Sequence, residues 1–129
     1  MNIGEAAKRS GLPTRTIRYY EESGLIRPAT RTACGYRDYA DVDVHTLKFV
    51  RHARELGFTV AECASLLSLY EDQNRHAGDV KSLVSRHLVG IDAKIADLTR
   101  MRATLAHLVS CCAGDQRPDC PILDGLAEG

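Results

Sequence analysis

The chain has 129 residues and a formal net charge of zero. That length allows one compact core with an extended element and excludes two full domains. Five unevenly spaced cysteines (Cys34, Cys63, Cys111, Cys112 and Cys120) and an N-terminus without an apolar signal run fit a reducing cytoplasm with free or metal-bound thiols better than a disulfide scaffold. No apolar stretch approaches the roughly 18 residues of a membrane-spanning helix, so a soluble, cytoplasmic chain with no membrane partner is expected.

The zero balance hides a division. Residues 1–37 carry seven basic side chains (Lys8, Arg9, Arg15, Arg18, Arg27, Arg31, Arg37) against Glu5, Glu21 and Glu22, and the remainder offsets this with a net negative charge. A basic surface joined to a different working part is the footprint of a nucleic-acid reader, because arginine pairs with phosphate in a rigid two-pronged geometry.

Asn2-Ile3-Gly4-Glu5 has the N-cap and N3 glutamate of a capping box and predicts a short helix through Ser10. Gly11 permits the sharp turn of a helix-turn-helix. A second helix is then expected between Leu12 and Gly24, with Pro13 in its first turn and Gly24 as its stop. Leu12 and Ile17 pack inward, leaving Arg15, Thr16, Arg18 and a tyrosine outward in a form that suits a major groove. Leu25–Pro28 and Tyr36–Tyr39 read as the two strands of a hairpin wing, with Arg31 near the tip and Gly35 in the turn, and Arg31 and Arg37 placed to reach phosphates.

Asp41 to Leu56 reads as a helix closed by Gly57, and Thr59-Val60-Ala61-Glu62 as a second capping box. That box opens a helix on which Leu66, Leu67 and Tyr70 face inward and Cys63 is a small buried hydrophobe. From Asp79 to about Ser110 a long amphipathic helix of roughly 45 to 50 Å is predicted. Val84, Leu88, Ile91, Ile95, Leu98, Leu105 and Val109 follow alternating four- and three-residue steps, with Arg102 in the one polar slot: a coiled-coil seam. So long a seam exceeds what a core of some 75 residues can cover, which points to pairing with a second copy; the pattern alone fits either an antiparallel or a parallel pair.

Beyond this helix lies Cys111-Cys112-Ala113-Gly114-Asp115-Gln116-Arg117-Pro118-Asp119-Cys120-Pro121. Thiolates are soft ligands that favour Cu(I), Ag(I) and Au(I), and a Gly- and Pro-containing loop lets Cys112 and Cys120 approach one ion from opposite sides. A rival zinc set would recruit His107 and Cys111 to join them in a tetrahedron. A thiol redox protein or metallochaperone is a further alternative, but no Cys-x-x-Cys motif in a βαβ context is present, nor a phosphate-binding glycine loop or Ser/His/Asp set, so no enzyme is expected.

The run Ile17-Arg18-Tyr19-Tyr20-Glu21, followed by Gly24-Leu25-Ile26 and Gly35-Tyr36-Arg37, resembles the N-terminal winged helix-turn-helix of the MerR family of transcription regulators. The likeness continues through Arg51-His52-Ala53-Arg54-Glu55-Leu56-Gly57-Phe58 and covers essentially the whole chain. It implies a mainly α fold: a winged DNA-binding head (1–40), a connecting helix pair (41–76), an antiparallel dimerisation helix (77–110) and a metal-binding loop with a short tail (111–129). It also implies DNA contacts from Arg15, Arg18, Tyr19, Tyr20, Arg31, Tyr36, Arg37 and Arg54. The C-terminal loop, through Asp119-Cys120-Pro121-Ile122-Leu123, further resembles that of the copper(I)-responsive CueR-type branch. This implies Cys112 and Cys120 as the ion's ligands, and Ala77 where sensors of divalent ions such as zinc carry a cysteine. Lys81 is a candidate to offset the site's negative charge, and Cys111 a candidate extra ligand. The implied mechanism is a homodimer on promoter DNA that, on binding metal, distorts an over-long spacer so that RNA polymerase can transcribe copper efflux or detoxification genes. Ile122 and Leu123 are expected to couple the closed loop to the dimer helix.

Overall fold

A computed structural model describes residues 1–128, and the chain forms two compact units, Met1–Leu83 and the segment from Val84 onward. The first unit begins with α1 (Ile3–Ser10). The Asn2 side chain accepts the Glu5 backbone N–H at 2.9 Å, supplying the expected cap, while the Glu5 carboxylate pairs with Arg9 at 2.9 Å instead of closing the box. Gly11 turns the chain at φ +79°, a backbone region that an L side chain enters only with strain.

Helix α2 (Thr14–Glu22) follows. Pro13 stands one residue outside it, as the N-cap with ψ 149°, rather than in the first turn as expected; a proline there offers its carbonyl to the N–H groups of Thr16 and Ile17 and gives up no helical hydrogen bond. Gly24, at φ +78°, stops the helix, and the N–H groups of Leu25 and Ile26 return to the Tyr20 carbonyl at 3.0 and 3.3 Å.

The wing is a two-stranded antiparallel hairpin of β1 (Thr30–Arg31) and β2 (Arg37–Asp38), with Thr30 opposite Asp38 and Arg31 opposite Arg37. Its first strand begins later than the Leu25–Pro28 expected from sequence. Leu25 and Ile26 are buried core anchors, and Pro28 has no N–H to give a ladder. Gly35, at φ +86°, closes the turn, its N–H bonding the Thr32 carbonyl at 2.9 Å.

Helix α3 (Asp41–Glu55) starts where the Asp43 carboxylate accepts the Ala40 N–H at 2.8 Å, and Gly57 ends it as anticipated. Helix α4 (Val60–Glu71) carries the complete capping box read at Thr59 and Glu62. Leu67 is buried and Leu66 half-buried, but Tyr70 is half exposed rather than inward. Its ring rests on Phe49 at 4.9 Å and its hydroxyl meets His45 at 3.0 Å. Ala6, Ile17, Leu47, Val50 and Cys63 are completely buried at the centre of this unit. Each of the larger aliphatic side chains there contributes about 1.5–3 kcal/mol of hydrophobic stabilisation.

Helix α5 (Ala77–Cys111) begins within the first unit, where Leu83 joins the core, and continues into the second. Its 35 residues extend roughly 50 Å at 1.5 Å per residue. The chain then forms a helix the sequence reading assigned to a loop and tail: α6 (Pro121–Glu128), with proline at its first position. α6 lies so close to α5 that a Cβ on Gly125 would fall 2.8 Å from Leu108 Cδ2. Among the described residues, no helix is long and apolar enough to cross a membrane.

Candidate nucleic-acid interface and metal centre

Helix α2 divides its residues cleanly between two faces. Ile17, Tyr20 and Glu21 point into the core; Arg15, Arg18 and Tyr19 are exposed, and Thr16 is half-buried at the edge. Three outward donors on a helix held by a buried opposite face form a surface that can enter a major groove. Tyr20, expected among the DNA contacts, is corrected by this geometry. It lies three residues after Ile17 on the same side of the helix, is 5% exposed, and serves the core.

In the wing, Tyr36 is 74% exposed and Arg31 donates to the Gly35 carbonyl at 2.8 Å, which pins its guanidinium beside the turn. Arg37 is only partly accessible, because its Nε pairs with a Glu21 carboxylate oxygen at 3.2 Å. The other Glu21 oxygen accepts the Tyr39 hydroxyl at 2.6 Å. Burial first, then this hydrogen bond and the nearby carboxylate charge, push the Tyr39 hydroxyl well above the usual tyrosine range. Glu21 thereby ties the reading helix to the wing, a role the sequence reading did not assign; the available signal was an acidic residue four positions after Ile17, on the inward face. Arg54 lies exposed on α3 and donates to the Phe58 carbonyl at 2.9 Å, closing the helix end. Cys34 is exposed in the wing turn, and Cys63 is completely buried, its thiol raised by that burial.

In the second unit the apolar row is uncovered by this chain. Val84, Leu88, Ile95, Leu98, Leu105 and Val109 are all exposed, and Ile91 is half-buried. Single exposed apolar residues are ordinary, but a continuous heptad row of this length is not.

The cysteine loop is framed by two helix ends. Cys111 is the last residue of α5, and Cys112 follows with its N–H on the Val109 carbonyl at 3.1 Å. Cys120 immediately precedes α6, its carbonyl accepting the Asp124 N–H at 3.1 Å. Between them Gly114 adopts φ +69°, and Asp115 accepts both the backbone N–H and the guanidinium of Arg117. These bonds hold the exposed Asp115 carboxyl below its ordinary range. Cys112 and Cys120 are half-buried and Cys111 is exposed. Cys111 Sγ lies 3.9 Å from His107 Nε2. Among the described residues, no group of three or more His, Cys, Asp or Glu side chains is gathered to hold a metal, so the four-ligand zinc set is not assembled within one chain. Ala77 opens α5 and Lys81 is exposed one turn later.

A helix-turn-helix whose polar face is backed by a buried core, with a hairpin wing beside it, defines a DNA-binding head of the transcription-regulator kind. Residues 1–69 match the family described as MerR HTH family regulatory protein, and residues 44–108 match that described as MerR, DNA binding. The chain belongs to the MerR family of helix-turn-helix regulators, a non-enzymatic family whose members bind promoter DNA. It is 57% identical over its whole length, and over 99% of the relative's, to the HTH-type transcriptional regulator HmrR of Rhizobium leguminosarum bv. viciae. To the HTH-type transcriptional regulator CueR of Salmonella typhimurium it is 41% identical, over 98% of this chain and 92% of that one. Its fold superposes with a TM-score of 0.85 on the transcription regulator PbrR691 of Ralstonia metallidurans in complex with lead(II), at 30% identity and 98% coverage of both chains.

Proposed function

We propose that the protein is a cytoplasmic, metal-responsive transcription activator that answers to Cu(I), with Ag(I) and Au(I) as chemical equivalents, through Cys112 and Cys120. The observation that carries this reading is the donor set. Two half-buried thiols flank one loop, and no third ligating side chain is gathered with them among the described residues. Two soft donors suit a two-coordinate monovalent ion, whereas zinc takes four ligands in structural sites. A bound ion would supply a sulfur–metal–sulfur bridge between the end of α5 and the start of α6. Cys120 sits at the N-terminal end of α6, where the helix dipole offsets the negative charge of two thiolates.

The exposed row of α5 pairs with a second copy in an antiparallel homodimer. Lys81 and Cys112 are roughly 45 Å apart along one helix, so Lys81 can support the site only from the other copy. In that pairing the second copy's Ala77 approaches the loop and offers no ligand atom. Each copy presents Arg15, Arg18 and Tyr19 to a major groove, with Thr16 at the edge. Arg31, Tyr36, Arg37 and Arg54 flank the phosphates, so that two heads read two half-sites. On the same promoter RNA polymerase meets a spacer that is too long, and the metal-bound dimer distorts it into alignment. Such distortion costs about 1–6 kcal/mol, which altered protein–DNA contacts must recover.

Transcription from a bound promoter at buffered free Cu(I) or Zn(II) tests the assignment, using Cys112→Ser, Cys120→Ser and Cys111→Ser. Copper should activate at the lower free concentration, and both loop-flanking variants should lose the response. A divalent sensor is the second reading, favoured by the likeness to the lead(II) complex. Activation by zinc or lead(II) below the copper threshold would establish it instead.

A further inference from the structure

His107 and Cys111 form a second pair of soft-metal donors that the resting site does not use. Their Nε2 and Sγ face each other at 3.9 Å across one exposed turn at the end of α5. One metal–sulfur and one metal–nitrogen bond, roughly 2.3 and 2.0 Å, together slightly exceed that gap, so the separation matches that of two atoms holding one ion at a wide angle. Their position on the helix is also distinctive. At about 100° per residue, His107 and Cys111 fall on the face of α5 opposite Leu105 and Val109. Pairing of two copies through the apolar row therefore leaves His107 and Cys111 open to solvent, and the half-buried Cys112 follows directly where the helix ends.

We propose that His107 and Cys111 are a loading site, which takes a soft monovalent ion from a small thiol complex and hands it to Cys112. The proposal rests on the reading of Cys112 and Cys120 as the resting ligands. In the first exchange a metal–sulfur bond to Cys111 forms as the bond to the donor thiolate breaks, and the Cys111 thiol proton passes to the departing thiolate. His107 fills the second position through Nε2 as a second donor thiolate leaves. Cys112 then displaces His107, whose freed Nε2 accepts the Cys112 thiol proton and passes it to solvent, and Cys120 displaces Cys111, which recovers a proton from the incoming thiol; the metal's oxidation state is unchanged throughout. The direction follows from ligand softness, since a soft ion gains when thiolate replaces imidazole.

The test separates rate from resting occupancy. Cu(I) is supplied as its glutathione complex, and formation of the thiolate-to-copper absorption is followed by stopped flow in the full-length protein and in His107→Gln and Cys111→Ser. Loading should slow about tenfold in both variants, while the final occupancy, set by Cys112 and Cys120, remains one ion per site. In a Cys112→Ser, Cys120→Ser double variant, Ag(I) should still bind at one equivalent, with one sulfur and one nitrogen in its X-ray absorption spectrum. Unchanged loading rates in both single variants would overturn the proposal, as would a double variant that binds no Ag(I). A Cys111→Ser protein with normal loading and weakened final binding would also overturn it and make Cys111 a resting ligand. Failure of the underlying copper reading would appear separately, as a double variant that keeps the two-sulfur spectrum and the affinity of the wild-type protein.

Discussion

The Tyr39 hydroxyl donates to the Glu21 carboxylate at 2.6 Å, joining the residue that follows the wing to the inward face of the reading helix. Arg37 grips the other oxygen at 3.2 Å, so one buried carboxylate sets where α2 and the wing sit relative to each other.

A stability profile against pH follows from this bond. The folded-state pKa of Tyr39 lies above its unfolded value near 10, for burial first and Glu21 second. The contribution is therefore present in full below about pH 10 and is lost as pH rises beyond it. Tyr39→Phe should cost about 2 kcal/mol at neutral pH, the range for a hydrogen bond to a charged group. Urea midpoints between pH 8 and 11 would show the wild-type protein's margin over the variant narrowing above about pH 10, the loss from the buried Cys63 thiol being common to both. A variant as stable as wild type at pH 8 would refute the role.

Gly11 should resist substitution. Its φ of +79° is strained for any L side chain, and an added Cβ would stand 3.2 Å from Arg51 Nε, a buried atom without a hydrogen-bond partner. Gly11→Ala is expected to lose about 1–2 kcal/mol from backbone strain, with further loss from crowding. Thermal unfolding reads this directly, and Gly24→Ala, which has the same strain but nothing within 4 Å, separates the two contributions.

Much of the head was legible because its punctuation is local. Asn2 and Thr59 cap their helices, and Gly11, Gly24 and Gly57 turn or stop the chain, through chemistry confined to a few neighbouring residues. The errors arose where distant contacts decide. Leu25 and Ile26 look like strand residues but are claimed by the core, and Tyr20 is distinguished from Tyr19 only by which side of α2 meets it. Helix α6 is eight residues with a central glycine, too short to be stable by propensity, and its close approach to Leu108 is a tertiary contact invisible to periodicity. DNA contacts lie beyond the chain altogether, so the sequence names their chemistry only through residue type and spacing.

Thiol reactivity should rank the five cysteines by environment. Cys34 and Cys111 are exposed, Cys112 and Cys120 half-buried, and Cys63 completely buried with its thiolate disfavoured. Iodoacetamide followed by peptide mass mapping should label Cys34 and Cys111 first, Cys112 and Cys120 next, and Cys63 only on unfolding. One equivalent of Ag(I) should protect Cys112 and Cys120 while Cys34 remains reactive. Protection of Cys63 by metal, or its early labelling, would contradict the assignment of its burial.

The apolar row on α5 makes the sharpest demand on assembly. Leu98 is 62% exposed in one chain, which a lone molecule tolerates poorly when six further members of the row stand beside it. Leu98→Glu places a charge opposite the partner's apolar side chains and should give a monomer by sedimentation. The head should stay folded, because the core of Met1–Leu83 is complete without that residue. DNA affinity should then fall by about 10²- to 10⁴-fold, the gain that linking two reading heads supplies. Arg102 provides the converse, since a polar residue in one seam position fixes register at a cost in stability. Arg102→Leu should tighten the dimer and broaden its pairing, detected as slower subunit exchange. If Leu98→Glu remained dimeric, the pairing surface would have to lie elsewhere on the chain.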